Sequence, residues 1–258
     1  NNVDIEYGFM LPDSSTVDLL VFTERERQQI RIFSLPDVQP IDGGGIPVFE
    51  EETDPAFRLP MGVALYKDPS NHHFYAIVGR KNGPSGEYLY QYHLTSDTLE
   101  TNQLKASLVR KFGTFSGQKE IEALAVDDVN GWVYYSDEGV CIRQYSASPT
   151  AKNQEEACFG GAYFKEDIEG IAIAYDKGSP QYLLVSDQQA GEFVVFDAAS
   201  KAFVHRMYLG TTETDGCEVT TTSLGSDFPH GLFVAMNDEK NFYFYDWGIL
   251  KDSIENAR

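Results

Sequence analysis

Basic residues are scarce in this chain of 258 residues: 20 Lys and Arg stand against 40 Asp and Glu, a formal net charge of −20. A surface so poor in cations repels nucleic-acid phosphates, which argues against DNA or RNA as partners. It is pushed from anionic membranes for the same reason. Long hydrophobic runs are missing too. None approaches the ~20 apolar residues of a membrane-spanning helix, and the longest resemble Leu19-Leu20-Val21-Phe22. Cysteine is sparse: Cys141, Cys158 and Cys217 lack metal-ligand spacing, allow at most one intrachain disulfide, and read as buried or incidental thiols. No signal peptide is visible. The chain opens on Asn1-Asn2-Val3-Asp4-Ile5, which already reads as a strand, so upstream sequence is expected and the N-terminus does not disclose localisation. Long amphipathic helices are absent, the best helical stretch being Trp247–Ala257. What is plentiful is apolar and aromatic material, 42% and 13% of residues, enough to fill a core and to exclude disorder.

That material is laid out as strands. Short runs rich in Val, Ile, Phe and Tyr alternate with Asp, Asn, Gly and Ser. They include Val17–Phe22, Ile30–Leu35, His73–Val78, Tyr88–Leu94, Val133–Ser136, Tyr182–Ser186, Glu192–Phe196 and Phe242–Tyr245. Four of the units they form align on a small residue followed by an alternating strand: Gly62-Val-Ala-Leu-Tyr, Ala123-Leu-Ala-Val-Asp, Gly170-Ile-Ala-Ile-Ala and Gly231-Leu-Phe-Val-Ala. The spacings are 61, 47 and 61 residues. A fifth, looser copy lies upstream around Val17–Phe22 and Ile30–Phe33. Repeats of three to four antiparallel strands every ~40–50 residues predict an all-β fold of the β-propeller class, with about five blades in a single domain over residues 1–258. A double-sheet sandwich does not explain the recurring small residue. A closed ring would need a further blade from an N-terminal segment, or an open seam.

In a propeller the first strand of each blade lines the channel. The residues just before the small position, Met61, Glu122, Glu169 and His230, therefore share one place in their blades. Asp167 lies two before Glu169, on the same face of a strand. The ends of the second strands add Arg80-Lys81, Asp137-Glu138 and Asp187, with Arg25 and Arg27 in the first unit and Asp215 on the loop into the last. A lone Glu at a strand start is ordinarily a solvated charge, and a lone Lys81 or Arg25 likewise. The repetition at Glu122 and Glu169 is what points to a site. Two carboxylates ~4 Å apart repel by about 4 kcal/mol at an effective dielectric of about 20, so a cluster needs cations or protons. Oxygen ligands without His or Cys favour Ca²⁺ over Zn²⁺. Neighbouring Lys and Arg suit a phosphate. Asp127-Asp128 and Asp238-Glu239 read as turn acids.

Several strings resemble the β-propeller phytases, also called alkaline phytases: Asn1-Asn2-Val3-Asp4-Ile5-Glu6-Tyr7, Ile121-Glu122-Ala123, Asp127-Asp128 with Gly131, Asp167-Ile168-Glu169-Gly170, Thr214-Asp215-Gly216 and Gly231–Ala235. They lie in order over nearly the whole chain. The resemblance implies a six-bladed fold and Ca²⁺-dependent hydrolysis of phosphate monoesters, on phytate or lower inositol phosphates, by water activated by metal at the channel mouth. It implies that Glu122, Glu138, Asp167 and Glu169 are catalytic, holding Ca²⁺ or orienting the water, and that Asp215 joins them as a Ca²⁺ ligand. Arg25 and Lys81 would hold substrate phosphates. It further implies a secreted or periplasmic monomer with a small-molecule substrate and an adjacent tandem propeller domain as a partner.

The chain also departs from that pattern. The early Asp-Asp-Pro-Ala motif and its following Lys are not in their usual place, and Thr53-Asp54-Pro55-Ala56 falls between the first and second units. Glu6 stands where Arg usually continues the first string, Met61 where a Tyr is expected, and Asn82 where an acid follows Lys81. These departures leave room for a naturally incomplete propeller: a non-catalytic Ca²⁺-binding module that binds inositol phosphates or assists an adjacent catalytic domain. A Ca²⁺-dependent propeller lactonase is the third reading.

Overall fold

The computed structural model describes residues 2–96 and 103–257; Asn1 of the opening string lies outside them. Val, Ile, Leu and Tyr at alternate positions, broken by Asp, Asn and Gly turns, make short antiparallel meanders. The first sheet runs in the order β1 (Val3–Met10), β2 (Thr16–Glu24), β3 (Gln29–Leu35) and β4 (Gln39–Pro40), with β5 (Ile46–Pro47) also on β3. The second is β6 (Pro60–Lys67), β7 (Phe74–Arg80), β8 (Leu89–Ser96) and β9 (Leu104–Phe112). The third is β10 (Leu124–Asp127), β11 (Trp132–Asp137), β12 (Cys141–Ser146) and β13 (Glu155–Phe159). The fourth is β14 (Ile168–Asp176), β15 (Ser179–Asp187), β16 (Glu192–Asp197) and β17 (Phe203–Tyr208). The fifth has three strands, β18 (Cys217–Thr220), β19 (Leu232–Asn237) and β20 (Asn241–Asp246), and passes into helix α1 (Trp247–Asn256). The Asp246 carboxylate accepts the Ile249 N–H and starts that helix. Among the described residues no helix is long and apolar enough to cross a membrane.

The chain divides into two compact units, Asn1–Val133 with Gln144–Glu156, and Tyr134–Arg143 with Ala157–Arg258, the division passing through the third sheet. Unit 1 has a core of Leu19, Val21, Ile30, Ile32, Val63, Leu65, Ala76 and Val78 packed with Phe9, Phe49, Phe74 and Tyr90. In unit 2, Ala172, Ala174, Leu184, Phe193, Val195 and Phe233 pack with Trp247, Leu250 and Ile254 of α1. Unit 2 also holds a disulfide between Cys141 and Cys158, with Cα atoms 5.7 Å apart, while Cys217 stays a thiol. Two of the three cysteines are therefore bonded rather than incidental.

The recurring small residue has a steric cause. The register of β6 shifts between Pro60 and Val63, and that of β14 between Ile168 and Ile171, so both strands bulge around their glycine. A Cβ on Gly62 would collide with the Glu122 carbonyl, and one on Gly170 with the Asp215 carbonyl. Gly170 N–H instead donates to Asp215 O at 2.9 Å. Each glycine lets the opening strand of another sheet approach at the backbone.

One part of the sequence alignment is corrected. Leu232–Asn237 is the middle strand of its sheet, paired with both β18 and β20, so Gly231 and His230 do not open it. The opening strand is β18, and its acid–small pair is Asp215-Gly216. Gly231 is small for another reason: its φ of 104° lies in the left-handed region and a Cβ would strike Thr220 O.

Candidate functional site

With the register corrected, acids precede the small residue at Glu122, Glu169 and Asp215. In unit 2 Glu169 sits in β14 and is 7% exposed; Glu138, just after β11, is 5% exposed. Buried carboxylates are costly unless matched by partners, so each of the two marks a built feature. The backbone bond from Gly170 to Asp215 brings the segments of Glu169 and Asp215 side by side.

Asp167 joins them by a route the sequence did not suggest. It precedes β14, and the bulge that follows it breaks the simple alternation on which the shared-face argument rested. Its N–H donates to Gln189 Oε1 at 2.8 Å, and Gln189 Nε2 returns a bond to Asp167 Oδ2 at 2.5 Å. Gln189 Nε2 also donates to Gln188 Oε1 at 2.9 Å, and Gln188 Nε2 donates to Asp215 Oδ1. Two glutamines in the 3₁₀ turn Gln188–Ala190 thus connect Asp167 to Asp215. Desolvation raises the Asp215 carboxyl above its usual range, the Gln188 amide offsets part of that, and Glu213 and Asp238 add repulsion.

Neighbouring strand-end charges are already neutralised. Asp137 is fully buried and paired with Arg143, whose Nε and Nη2 lie 2.8 and 2.7 Å from Oδ2. Asp187 is fully buried, accepts the Lys165 N–H, and pairs with Arg206 at 2.9 Å; Arg206 also reaches Glu192 at 2.8 Å. The hydroxyl one residue earlier has its own task, Ser186 Oγ donating to Thr214 O.

Unit 1 carries Arg25, Lys81 and Glu122. Arg25 opens a 3₁₀ turn after β2, and among the described residues its buried Nε has no hydrogen-bond partner. Lys81 follows β7; its N–H donates to Leu59 O at 2.8 Å and its ammonium meets Glu120 at 2.9 Å. Glu122 is half-buried, and its carbonyl accepts from Asn2 Nδ2 at 2.5 Å. Arg80 is not free for phosphate: it is fully buried, pairs with Glu52 at 2.6 Å, and lies 4.9 and 4.8 Å from the Phe49 and Tyr90 ring centres. Thr23 Oγ1 donates to Met61 O at 2.7 Å, matching Ser186 in unit 2. The opening string is structural here. Asn2 and Asp4 staple strands, Asp4 Oδ2 accepting the Leu65 N–H at 2.7 Å.

Whether such residues fit Ca²⁺ can be judged from donor chemistry. Glu138, Asp167, Glu169 and Asp215 offer only oxygen donors, as a hard cation requires. Desolvation raises the Asp215 carboxyl, and a nearby cation would act in the opposite direction. Among the described residues, no three His, Cys, Asp or Glu side chains are close enough together to hold a metal ion between them. The fit is therefore one of donor type.

The chain is similar to known proteins. The family model described as Phytase matches residues 1–243. A curated relative, the 3-phytase of Bacillus subtilis (strain 168), is 28% identical over 272 aligned positions, covering 96% of this chain and 67% of its own length. A chain in a crystal structure of the mitotic checkpoint complex superposes with a TM-score of 0.51 at 11% identity, over 93% of this chain and 61% of that one, a likeness of fold alone. The chain belongs to the Phytase family and is a phytase-like phosphatase with a β-propeller fold.

Proposed function

We propose that this chain is a Ca²⁺-dependent phosphomonoesterase acting on phytate or lower inositol phosphates. The observation that carries the reading is the apposition of Glu169 and Asp215 across the Gly170 bond, with Asp167 tied in through two glutamines. Glu138, Asp167, Glu169 and Asp215 of unit 2 would supply oxygens to Ca²⁺, and Glu122 of unit 1 is a donor of the same type. Bound Ca²⁺ would screen phosphate charge and acidify a coordinated water. Glu138, Asp167 and Glu169 would orient the attacking water by accepting its hydrogens. In unit 1, Arg25, whose Nε has no hydrogen-bond partner among the described residues, and Lys81, once released from Glu120, are the cations suited to hold phosphate by charge-assisted bonds. Asp137, Asp187 and Arg80 stay outside the chemistry because each is held by its own counter-ion. The Cys141–Cys158 disulfide supports a secreted or periplasmic location, where such bonds persist.

The test is phosphate release from phytate and from an inositol tetrakisphosphate, with Ca²⁺ and with chelator, for the wild type and Glu169→Gln. Ca²⁺-dependent release that falls at least ~100-fold in Glu169→Gln, with the fold intact, is expected if the carboxylate serves transition-state electrostatics. Equal release with chelator would remove the metal. Unchanged release in Glu169→Gln would remove the site. No release from either substrate, with Ca²⁺ still raising Tm, would leave a metal-binding module without turnover.

A further inference from the structure

We infer that Gln189 is a positioning residue of this site, setting Asp167 directly and Asp215 through the amide of Gln188. The inference rests on the functional reading above. Gln189 occupies the middle of the three-residue turn Gln188–Ala190, closed by Gly191 at a φ of 63°. Such a turn needs no particular side chain at its centre, and an exposed polar residue would serve. Here the side chain is used at both ends. Oε1 takes the Asp167 N–H at 2.8 Å, and Nε2 gives to Asp167 Oδ2 at 2.5 Å. Main chain and carboxylate of one residue are thus clasped by one amide. The same Nε2 gives to Gln188 Oε1 at 2.9 Å. With its oxygen engaged, the Gln188 amide points its Nε2 at Asp215 Oδ1. The order is directional: Gln189 donates to Asp167 and to Gln188, and Gln188 donates to Asp215.

Only a group that both accepts and donates can hold this place. A carboxylate at 189 could still take the Asp167 N–H, but it would repel Asp167 Oδ2 and release the Gln188 amide. Partners of this kind, one bond removed from a ligand, set its orientation and commonly change metal affinity or activity by about 10- to 100-fold. The charge of the site is untouched by Gln189, so its contribution is geometric.

The test uses the whole chain and two variants, Gln189→Met, which keeps length and loses both bonds, and Gln189→Glu, which keeps the bond from Asp167 N–H and so holds the turn. Ca²⁺ alone is titrated by calorimetry, kcat and KM are measured for phosphate release, and Tm is measured in chelator. We expect Gln189→Met to weaken Ca²⁺ binding and lower kcat by about 10- to 100-fold, with KM and the chelator Tm little changed. Gln189→Glu should move in the same direction despite its added negative charge. Wild-type Ca²⁺ affinity and kcat in Gln189→Met would overturn the inference while leaving the functional reading in place. So would Gln189→Glu binding Ca²⁺ as tightly as the wild type. A fall in chelator Tm with affinity and kcat retained would make the residue structural. If the wild type itself neither binds Ca²⁺ nor releases phosphate, the functional reading fails, and this inference with it.

Discussion

The two units both gather carboxylates and hold them by opposite means. In unit 2, Asp137 and Asp187 meet arginines, and Asp167 and Asp215 meet glutamine amides. In unit 1, Asp4 and Asp128 meet the main-chain N–H groups of Leu65 and Lys67, and Asp128 is hydrogen-bonded to Glu6. A bond between two carboxyl groups requires a proton on one of them. Desolvation, opposed by the bonds from Leu65 and Ile5, pushes Asp4 up to about 7. Desolvation first, then the Glu6 charge, pushes Asp128 up to about 8. An acid-rich composition therefore has no single meaning. Some acids face a guanidinium or an amide, while Asp128 faces another carboxyl and shares a proton with it.

The sharpest way to break the unit 2 arrangement is Arg206→Met, which leaves fully buried Asp187 without its cation. Removing one partner of a buried ion pair costs about 3–5 kcal/mol, which corresponds to a drop in Tm of roughly 6–20 °C for a chain of this size. Scanning calorimetry reads it. An unchanged Tm would mean that the Lys165 N–H alone suffices for Asp187.

Unit 1 should respond to pH instead. Asp4 and Asp128 bind protons more tightly when folded than at the ordinary value of 3.8. Between that value and their folded values the native state holds more protons than the unfolded chain, so their contribution is full below 3.8 and is lost as pH rises towards about 8. Groups facing them are Glu6 on β1, Lys67 and Tyr66 on β6, and Asp68 beside Tyr66. Glu6→Gln keeps a hydrogen-bonding partner for Asp128 and removes the repulsion. Its Tm should exceed the wild type's by a few degrees near pH 9, with the difference vanishing in acid. Parallel Tm profiles for the two proteins would sink the shared-proton account.

The smallest effect is expected where an acid only caps a helix. Asp246→Ala removes the acceptor for Ile249 N–H and the partner of exposed His230, and should lower Tm by no more than a few degrees. Loss of α1 helicity by circular dichroism would show instead that the cap nucleates the helix.

Much of this was legible beforehand. The strand runs from Val17–Phe22 to Phe242–Tyr245 and the helix at Trp247 stand where alternation and turn residues put them, because period-two burial is written directly in the sequence. Glu169 stood out through a repeated register, Asp167 through its place two residues earlier, and Asp215 through its loop position and a family resemblance. The place of Gly231 was not legible, because an alternating run after a glycine looks the same in an opening and a middle strand, and only pairing separates them. One signal was available and unused: Asp215-Gly216 repeats the acid–small pair of Glu122-Ala123 and Glu169-Gly170. Gln188 and Gln189 carry no charge and sit in a turn, so nothing in composition or period marks them.

The all-β meander, its repeat and the acidic character of the chain follow from local alternation, turn chemistry and the count of ionisable groups. Which acids meet arginines, which share protons and which are held by amides is set by long-range packing. The same packing joins Cys141 to Cys158. Those outcomes turn on distances of a few ångströms between residues remote along the chain, such as Asp187 and Arg206 or Asp4 and Leu65. No local pattern encodes such distances, because they arise from how strands of different sheets approach one another.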